Sequence, residues 1–406
     1  MNLQKKITLI SYTNFPFGGA MANFSRYFVS GLLLQNNKVE VILPTGNYYG
    51  NNIDCNKNRK GNINGVPYKH LCFVKHPKNF IGKLIANTFA LVLPFFYLIK
   101  KTIKKEIDII IICDSDFLKT LIFLVAKKIL RKKLVIIIPE FYEKPINRFI
   151  SLALINWYSF YYGMKYFVRY ADGFIVLSHF MERYFKDELK IKKDILVIPN
   201  LIDPQKFEKS HIKPFLDNKV TIGYTGTPTR KDGILDLIKS FSILNKKYEN
   251  THLLVIGDLT NGKTIVPELK EYAKNLGVSE SISFIGLVSH ERIPDLLHSC
   301  QILALTRPNG IFAEAGFPTK LSEYFACNKP VVITSVGDIP MYFRNEEQVI
   351  LVEPENIESI VAGFEKLLKS KDLIERISLN GYNWMYQNTN YLKISPKISL
   401  YLERLG

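Results

Sequence analysis

Short runs of Val, Ile and Leu alternate along the chain with longer stretches of helical period. In the first half, KITLISY, VEVILP, IDIIIIC, KLVIIIP, GFIVLS and ILVIPN are continuous apolar runs rather than alternating ones. That pattern belongs to strands of a parallel sheet covered on both faces. Ala20–Leu34, Phe117–Leu130 and His179–Lys190 lie between them and predict helices. The pattern restarts after residue 204. VTIGYTG, HLLVIGD, ISFIGL, CQILAL, PVVITS and VILVEP predict strands, and Leu235–Tyr248, Glu268–Leu276, Ile293–Ser299, Lys320–Cys327 and Ile357–Lys369 predict helices. Two successive series predict an α/β protein of two Rossmann-like, doubly wound domains. Their ligand cleft is expected between them, at the C-terminal ends of the strands. The turn-rich stretch 199–218 marks the boundary. The expected domains are therefore residues 1–200 and 201–385. A helical C-terminal segment, 386–406, is expected to pack back on the first domain.

The most apolar window is LIANTFALVLPFFYLI, residues 84–99. It is shorter than the roughly 20 residues a spanning helix needs, it contains Pro94, and lysines flank both ends. The N-terminal MNLQKKITLISYTN lacks the long apolar region of a signal peptide and predicts a first strand.

Composition narrows the class. The 406 residues are 47% hydrophobic and 22% charged, which excludes disorder. The net charge of +17 changes the picture because it is uneven. Residues 1–200 hold 30 Lys and Arg against 13 Asp and Glu, whereas residues 201–406 hold 24 of each. A basic half is joined to a neutral one, and nucleic acid, an anionic membrane or a phosphate-bearing ligand would suit the basic half. The five cysteines include no C-x-x-C pair, which argues against a disulfide framework or zinc site and for a reducing cytoplasm.

Three loops carry candidate chemistry. Gly18-Gly19 closes the first strand and opens a helix, where free amides could meet an anion; the full G-x-G-x-x-G spacing is missing. In the second half, Gly226-Thr-Pro-Thr-Arg230-Lys231 places a basic pair before a helix, and Lys231 could hold a phosphate oxygen. The densest constellation is Gly316-Phe317-Pro318-Thr319-Lys320-Leu321-Ser322-Glu323. Pro318 and Thr319 open a helix whose amides and Lys320 suit a diphosphate. One turn on, Glu323 is placed to accept hydrogen bonds from a ribose diol, or alternatively to cap the helix.

The stretch GFPTKLSEYFACNKPVVITS resembles the donor-site motif of the family 4 (group 1) glycosyltransferases, which have the GT-B fold. GGAMANFSRYFVSGL, ADGFIVLSHFMERYF, VIPNLIDPQKF, GYTGTPTRKDGILDLIKSF and ISFIGLVSHERIPDLLHSCQILAL match in the expected order, over nearly the whole chain. The resemblance implies a retaining, metal-independent transferase without cofactor, using a nucleotide diphosphate sugar as donor. It assigns the ribose to Glu323 and phosphate to Lys231 and to the helix start at Thr319, Lys320 and Leu321. Gly316, Phe317 and, in the first domain, Gly19 complete the expected donor set. The family's sugar-contacting Glu is replaced by Ala315, with Glu314 one residue off register. The phosphate-binding Arg has no clear match, although Arg230 could serve.

Asp114-Ser-Asp116 forms a D-x-D after the strand IDIIIIC, a pattern that holds a divalent metal in another transferase fold. The second domain already offers a metal-free diphosphate site, so no metal is expected. Asp114 and Glu140, each following a strand of the first domain, are instead the candidates for orienting the acceptor or stabilising the transition state. The expected acceptor is a glycan, lipid-linked, used for a bacterial surface polysaccharide. The enzyme is expected in the cytoplasm, peripheral to the anionic inner face of the membrane. The rivals are a sugar epimerase of the same fold and a weakly active nucleotide-sugar-binding subunit. A nucleic-acid binder is suggested only by the charge, with no motif to support it.

Overall fold

The computed structural model describes residues 4–46, 58–113, 116–139, 141–145, 152–208, 212–259 and 263–405. It divides into two compact units. One comprises Met1–Leu201 and Tyr391–Gly406, the other Ile202–Asn390.

The first unit is built on strands β1 (Lys6–Ser11), β2 (Lys38–Leu43), β3 (Lys60–Ile63), β4 (Val66–His70), β5 (Ile109–Cys113), β6 (Lys133–Ile138), β7 (Gly173–Val176) and β8 (Ile195–Val197). Among the described residues they form one sheet in the order β3-β4-β2-β1-β5-β6-β7-β8. Every neighbouring pair is parallel except β3 with β4 at one edge. The unbroken apolar runs have become central strands; all five residues of β5 are buried. The β3–β4 hairpin was not expected. It turns through Asn64 and Gly65, both at positive φ, and pairs Ile63 with Val66. The Asn-Gly dipeptide is the signal that could have found it.

The helices of this unit are α1 (Ala20–Leu34), α2 (Phe80–Ile103), α3 (Phe117–Leu130), α4 (Leu152–Tyr162) and α5 (His179–Arg183), the last continued by a π-helical turn to Glu188. Helix α2 corrects the expectation of a short apolar window: it has 24 residues and is long and apolar enough to cross a membrane by length and composition. Pro94 does not break it. Proline has no N–H, so the carbonyl of Ala90, four residues back, loses its helical donor. The Tyr12 hydroxyl donates to that carbonyl at 3.2 Å instead. Only the stripe Ala86, Ala90, Pro94 and Leu98 is buried.

The C-terminal helix Tyr391–Leu405 packs on α1. The two axes approach closely where Gly31 faces Ser395, since a Cβ on Gly31 would stand 2.8 Å from the Cβ of Ser395. Its Tyr401 accepts from the Phe174 amide at 2.7 Å and donates to the Asp194 carbonyl at 2.9 Å, tying β7 to the segment before β8.

The second unit contains β9 (Val220–Thr225), β10 (Thr251–Ile256), β11 (Ile282–Gly286), β12 (Ile302–Leu305), β13 (Val331–Thr334) and β14 (Ile350–Val352). Its helices are α6 (Ile234–Lys247), α7 (Val266–Asn275), α8 (Ile293–His298), α9 (Ile311–Ala315), α10 (Thr319–Ala326), α11 (Ile339–Tyr342), α12 (Ile357–Lys369) and α13 (Lys371–Asn388). The strands pair in parallel in the order β11-β10-β9-β12-β13-β14. The chain starts in the middle with β9, works outward to β11, then returns to β12 on the other side. That reversal between β9 and β12 makes a topological switch point, where the loops leaving the two strands diverge and open a crevice.

Candidate functional site

The loops after β9 and β12 carry the two motifs of the second half, so the switch point gathers them. After β9 the chain turns at Gly226, passes Arg230, Lys231 and Asp232 in a single 3₁₀ turn, and enters α6 at Gly233. After β12 it passes Arg307, forms the short α9, and enters α10 at Thr319. Gly233 is obligatory here: its φ is +69°, and a Cβ would lie 1.7 Å from the carbonyl oxygen of Thr306. Thr306 Oγ1 donates to the Gly233 carbonyl at 2.9 Å and seals the two loops together.

Lys320 crosses between the loops. Its ammonium makes an ion pair with Asp232 and lies 5.0 Å from the ring centroid of Tyr224. The Tyr224 hydroxyl donates to the same Asp232 oxygen at 2.6 Å. Burial pushes the Lys320 ammonium down despite Asp232. Burial also pushes the Asp232 carboxyl up, but Lys320 and the Tyr224 hydroxyl outweigh it and hold it below the usual carboxylate range. Lys320 is thus already paired, and the sequence reading, which gave it to phosphate, did not include Asp232.

Glu323, one turn into α10, is half-buried. Its carboxylate makes no hydrogen bond among the described residues. Burial raises it to about 7, with Lys320 only partly offsetting. The other expected residues fall as follows. Arg230 and Lys231 are exposed, and the Lys231 ammonium lies 5.7 Å from the ring centroid of Phe312. Phe317 and Leu321 are buried in the core, and Phe317 stacks on Trp384 at 5.8 Å. The Leu321 amide donates to the Pro318 carbonyl at 3.0 Å. Gly316 accepts from Arg307. Ala315 is fully buried, and Glu314 beside it half-buried. Arg307 was not among the expected residues; an Arg two residues past a predicted strand was the available signal.

Gly19 lies in the first unit as the N-cap of α1. Asp114 and Glu140 lie outside the described residues. The second Asp of the D-x-D has a local duty: Asp116 caps α3, accepting from the Leu118 and Lys119 amides at 3.1 and 3.3 Å, and takes the Ser159 hydroxyl at 2.6 Å. Among the described residues no group of three or more His, Cys, Asp or Glu side chains is assembled to hold a metal. The site's means are those of an anion and polyol binder: helix-start amides, lysines, and a carboxylate that makes no hydrogen bond among the described residues.

Comparison with known proteins agrees with this geometry. The family profile described as glycosyl transferases group 1 matches residues 205–384, and that described as glycosyltransferase family 4 matches residues 26–206. The chain is 28% identical over 184 residues to the capsular polysaccharide biosynthesis glycosyltransferase CapM of Staphylococcus aureus, a match covering 44% of each chain. It is 23% identical over 312 residues to an uncharacterized glycosyltransferase, MJ1069, of Methanocaldococcus jannaschii, covering 74% of this chain and 76% of that one. Among solved structures, Anabaena HepE in complex with UDP superposes with a TM-score of 0.73 at 16% identity, over 98% of this chain and all of the other. The profiles together run from residue 26 to residue 384, and the chain belongs to the group 1, family 4 glycosyltransferases, with their GT-B fold.

Proposed function

We propose that the protein is a retaining glycosyltransferase that moves a sugar from a nucleotide diphosphate sugar to a lipid-linked glycan in the synthesis of a surface polysaccharide. The observation that carries the donor half is Glu323. A desolvated carboxylate with no hydrogen bond among the described residues, beside helix-start amides at a switch point, suits a ribose diol with a diphosphate next to it. Lys231 and the start of α10 neutralise charge developing on the leaving diphosphate, so the chemistry needs no metal. Asp114 and Glu140 remain the candidates on the acceptor side. HepE was solved with UDP, which supports a nucleoside diphosphate donor. A panel of nucleotide sugars scored by thermal shift should show one donor raising the midpoint. Transfer from that donor, with the anomeric configuration kept in the product by NMR, should survive EDTA. Loss with EDTA and rescue by Mn²⁺ would move the reading to a metal held at Asp114 and Asp116.

The acceptor half rests on the surface of the first unit. Helices α2 and α3 pack side by side, and α3 packs on α4. These helices leave exposed Phe80, Ile81, Leu84, Phe89 and Phe96 of α2, Leu118, Val125 and Ile129 of α3, and Ile155, Tyr158 and Tyr162 of α4. Tyr158, Tyr162 and Tyr166 stack in steps of 6.0 Å, with Lys165 among them. Exposed apolar side chains bordered by tyrosines and lysines match a surface that dips into an anionic leaflet. The enzyme would then meet a lipid-linked acceptor where that acceptor is anchored. The protein should float with anionic vesicles, less so in about 0.5 M salt, where screening falls to a few ångströms. It should float less again when Phe80 and Phe96 are replaced by Ser. Equal recovery with anionic and neutral vesicles at low salt would leave a soluble acceptor.

A further inference from the structure

Arg307 is a buried guanidinium that the donor reading does not use. It stands two residues past the end of β12, and the Thr334 hydroxyl donates to its carbonyl at 2.7 Å. Nη2 donates to the Phe312 carbonyl at 2.9 Å and Nη1 to the Gly316 carbonyl at 3.4 Å. The two bonds span α9 from its second residue to the residue after its end. A helix of five residues does not hold itself in water, so an external tie is required. A planar fork holds two separate carbonyls in a fixed geometry from two different nitrogens; the single nitrogen of an ammonium does not reproduce that spacing. The guanidinium carbon also lies 5.6 Å from the centroid of the Phe312 ring, the ring against which Lys231 lies at 5.7 Å. One aromatic ring therefore meets two cations, one from the loop after each strand of the switch point.

We propose that Arg307 is a positioning residue for the donor phosphates: it fixes Phe312, and the ring of Phe312 holds the otherwise long and exposed Lys231 where the diphosphate docks. This rests on the donor reading above and deepens it. It also offers a counterpart to the phosphate-binding arginine that has no clear match in sequence, Arg230 beside Lys231 being exposed. The loop after β12 supplies one, and that arginine acts through the ring rather than on the ligand. Phe312 is thus a required link, and Lys231 the residue through which both act.

A double-mutant cycle on nucleotide binding tests this. Whichever of UDP, GDP, ADP and dTDP binds best is titrated by calorimetry, with its parent nucleoside as a phosphate-free control. Lys231→Met should weaken the diphosphate about 10- to 30-fold, and Phe312→Leu or Arg307→Lys about 3- to 10-fold, from the charge-assisted and cation–π interactions lost. Nucleoside binding should not change. In the Lys231→Met background, Phe312→Leu and Arg307→Lys should each change Kd by less than about twofold, the size of ordinary non-additivity. Additive effects in the double variants, or equal losses for nucleoside and diphosphate, would overturn the proposal and leave the donor reading standing. If Arg307→Lys does not fold, the Phe312 cycle decides alone. A wild-type protein that binds none of the diphosphates overturns the donor reading and this one with it.

Discussion

Replacing Glu323 by alanine should lower kcat/KM about 30- to 1,000-fold, or about 2–4 kcal/mol of transition-state stabilisation, and leave the fold intact. The size follows from the environment. A carboxylate accepting two hydroxyls in a desolvated crevice makes charge-assisted bonds that water does not replace. The fold is spared because the carboxylate is part of no hydrogen bond among the described residues. An unchanged kcat/KM would remove the ribose from Glu323. The raised value of about 7 adds a pH signature. Hydroxyls donating to Glu323 favour its ionised form, so ligand binding lowers its pKa and releases a proton. Affinity should therefore rise with pH up to about 7 and level off above it. Glu323→Gln should flatten that rise. For folding the sign is opposite to that of a paired carboxylate. The folded protein holds this proton more tightly than the unfolded chain, whose ordinary value is 4.5. The contribution is full below 4.5 and is lost as pH rises towards 7.

Asp232→Ala should be the most destabilising change at the site, at about 3–5 kcal/mol, because it leaves a buried ammonium without its counterion. It removes the partner of Lys320 and one of two acceptors of the Tyr224 hydroxyl, the Thr227 carbonyl at 3.0 Å being the other. Asp232→Asn should cost less, since an amide oxygen can still accept from both. Adding Lys320→Met to Asp232→Ala should recover much of the loss, because the uncompensated charge goes with it. Urea titrations of the four proteins read this directly. A double variant no more stable than Asp232→Ala would mean that Asp232 acts through the loop backbone instead. The depressed Asp232 pKa fixes the pH window. The pair's contribution is present above the ordinary carboxylate range and fades as acid protonates Asp232.

What was legible in the sequence follows from what each feature depends on. The strands were readable because a sheet covered on both faces needs every residue of a strand to be apolar, and IDIIIIC or HLLVIGD satisfies that locally. The β3–β4 hairpin was missed because KGNI is a polar edge strand and VPYKH beside it alternates buried and exposed residues, so only Asn64-Gly65 announces them. The extent of α2 was missed because Lys83, Lys100 and Lys101 interrupt the apolar run near both ends. Its tolerance of Pro94 depends on a tyrosine 82 residues earlier in the chain. The motif residues of α10 were readable as a helix start with a carboxylate one turn on. Which of their side chains would be spoken for was not. Lys320 meets Asp232 across 88 residues of sequence, and Phe317 turns inward to Trp384. Pairings of that kind are set by the switch point, which brings together two loops that neither local period nor spacing connects.

The helix Tyr391–Leu405 belongs to a unit whose other residues precede Leu201, with all of Ile202–Asn390 between. Its Ile398, Tyr401 and Leu402 are part of the core beneath the first sheet. Synthesis runs from the N-terminus, so the second unit is complete before the first receives the side chains of this helix. Until then α1 presents an uncovered apolar flank and the Phe174 amide has no tyrosine to meet. A ribosome stalled near residue 390 would therefore release one finished unit and one unfinished one, and the unfinished one is the unit made first. Quality control of this protein falls on its oldest residues.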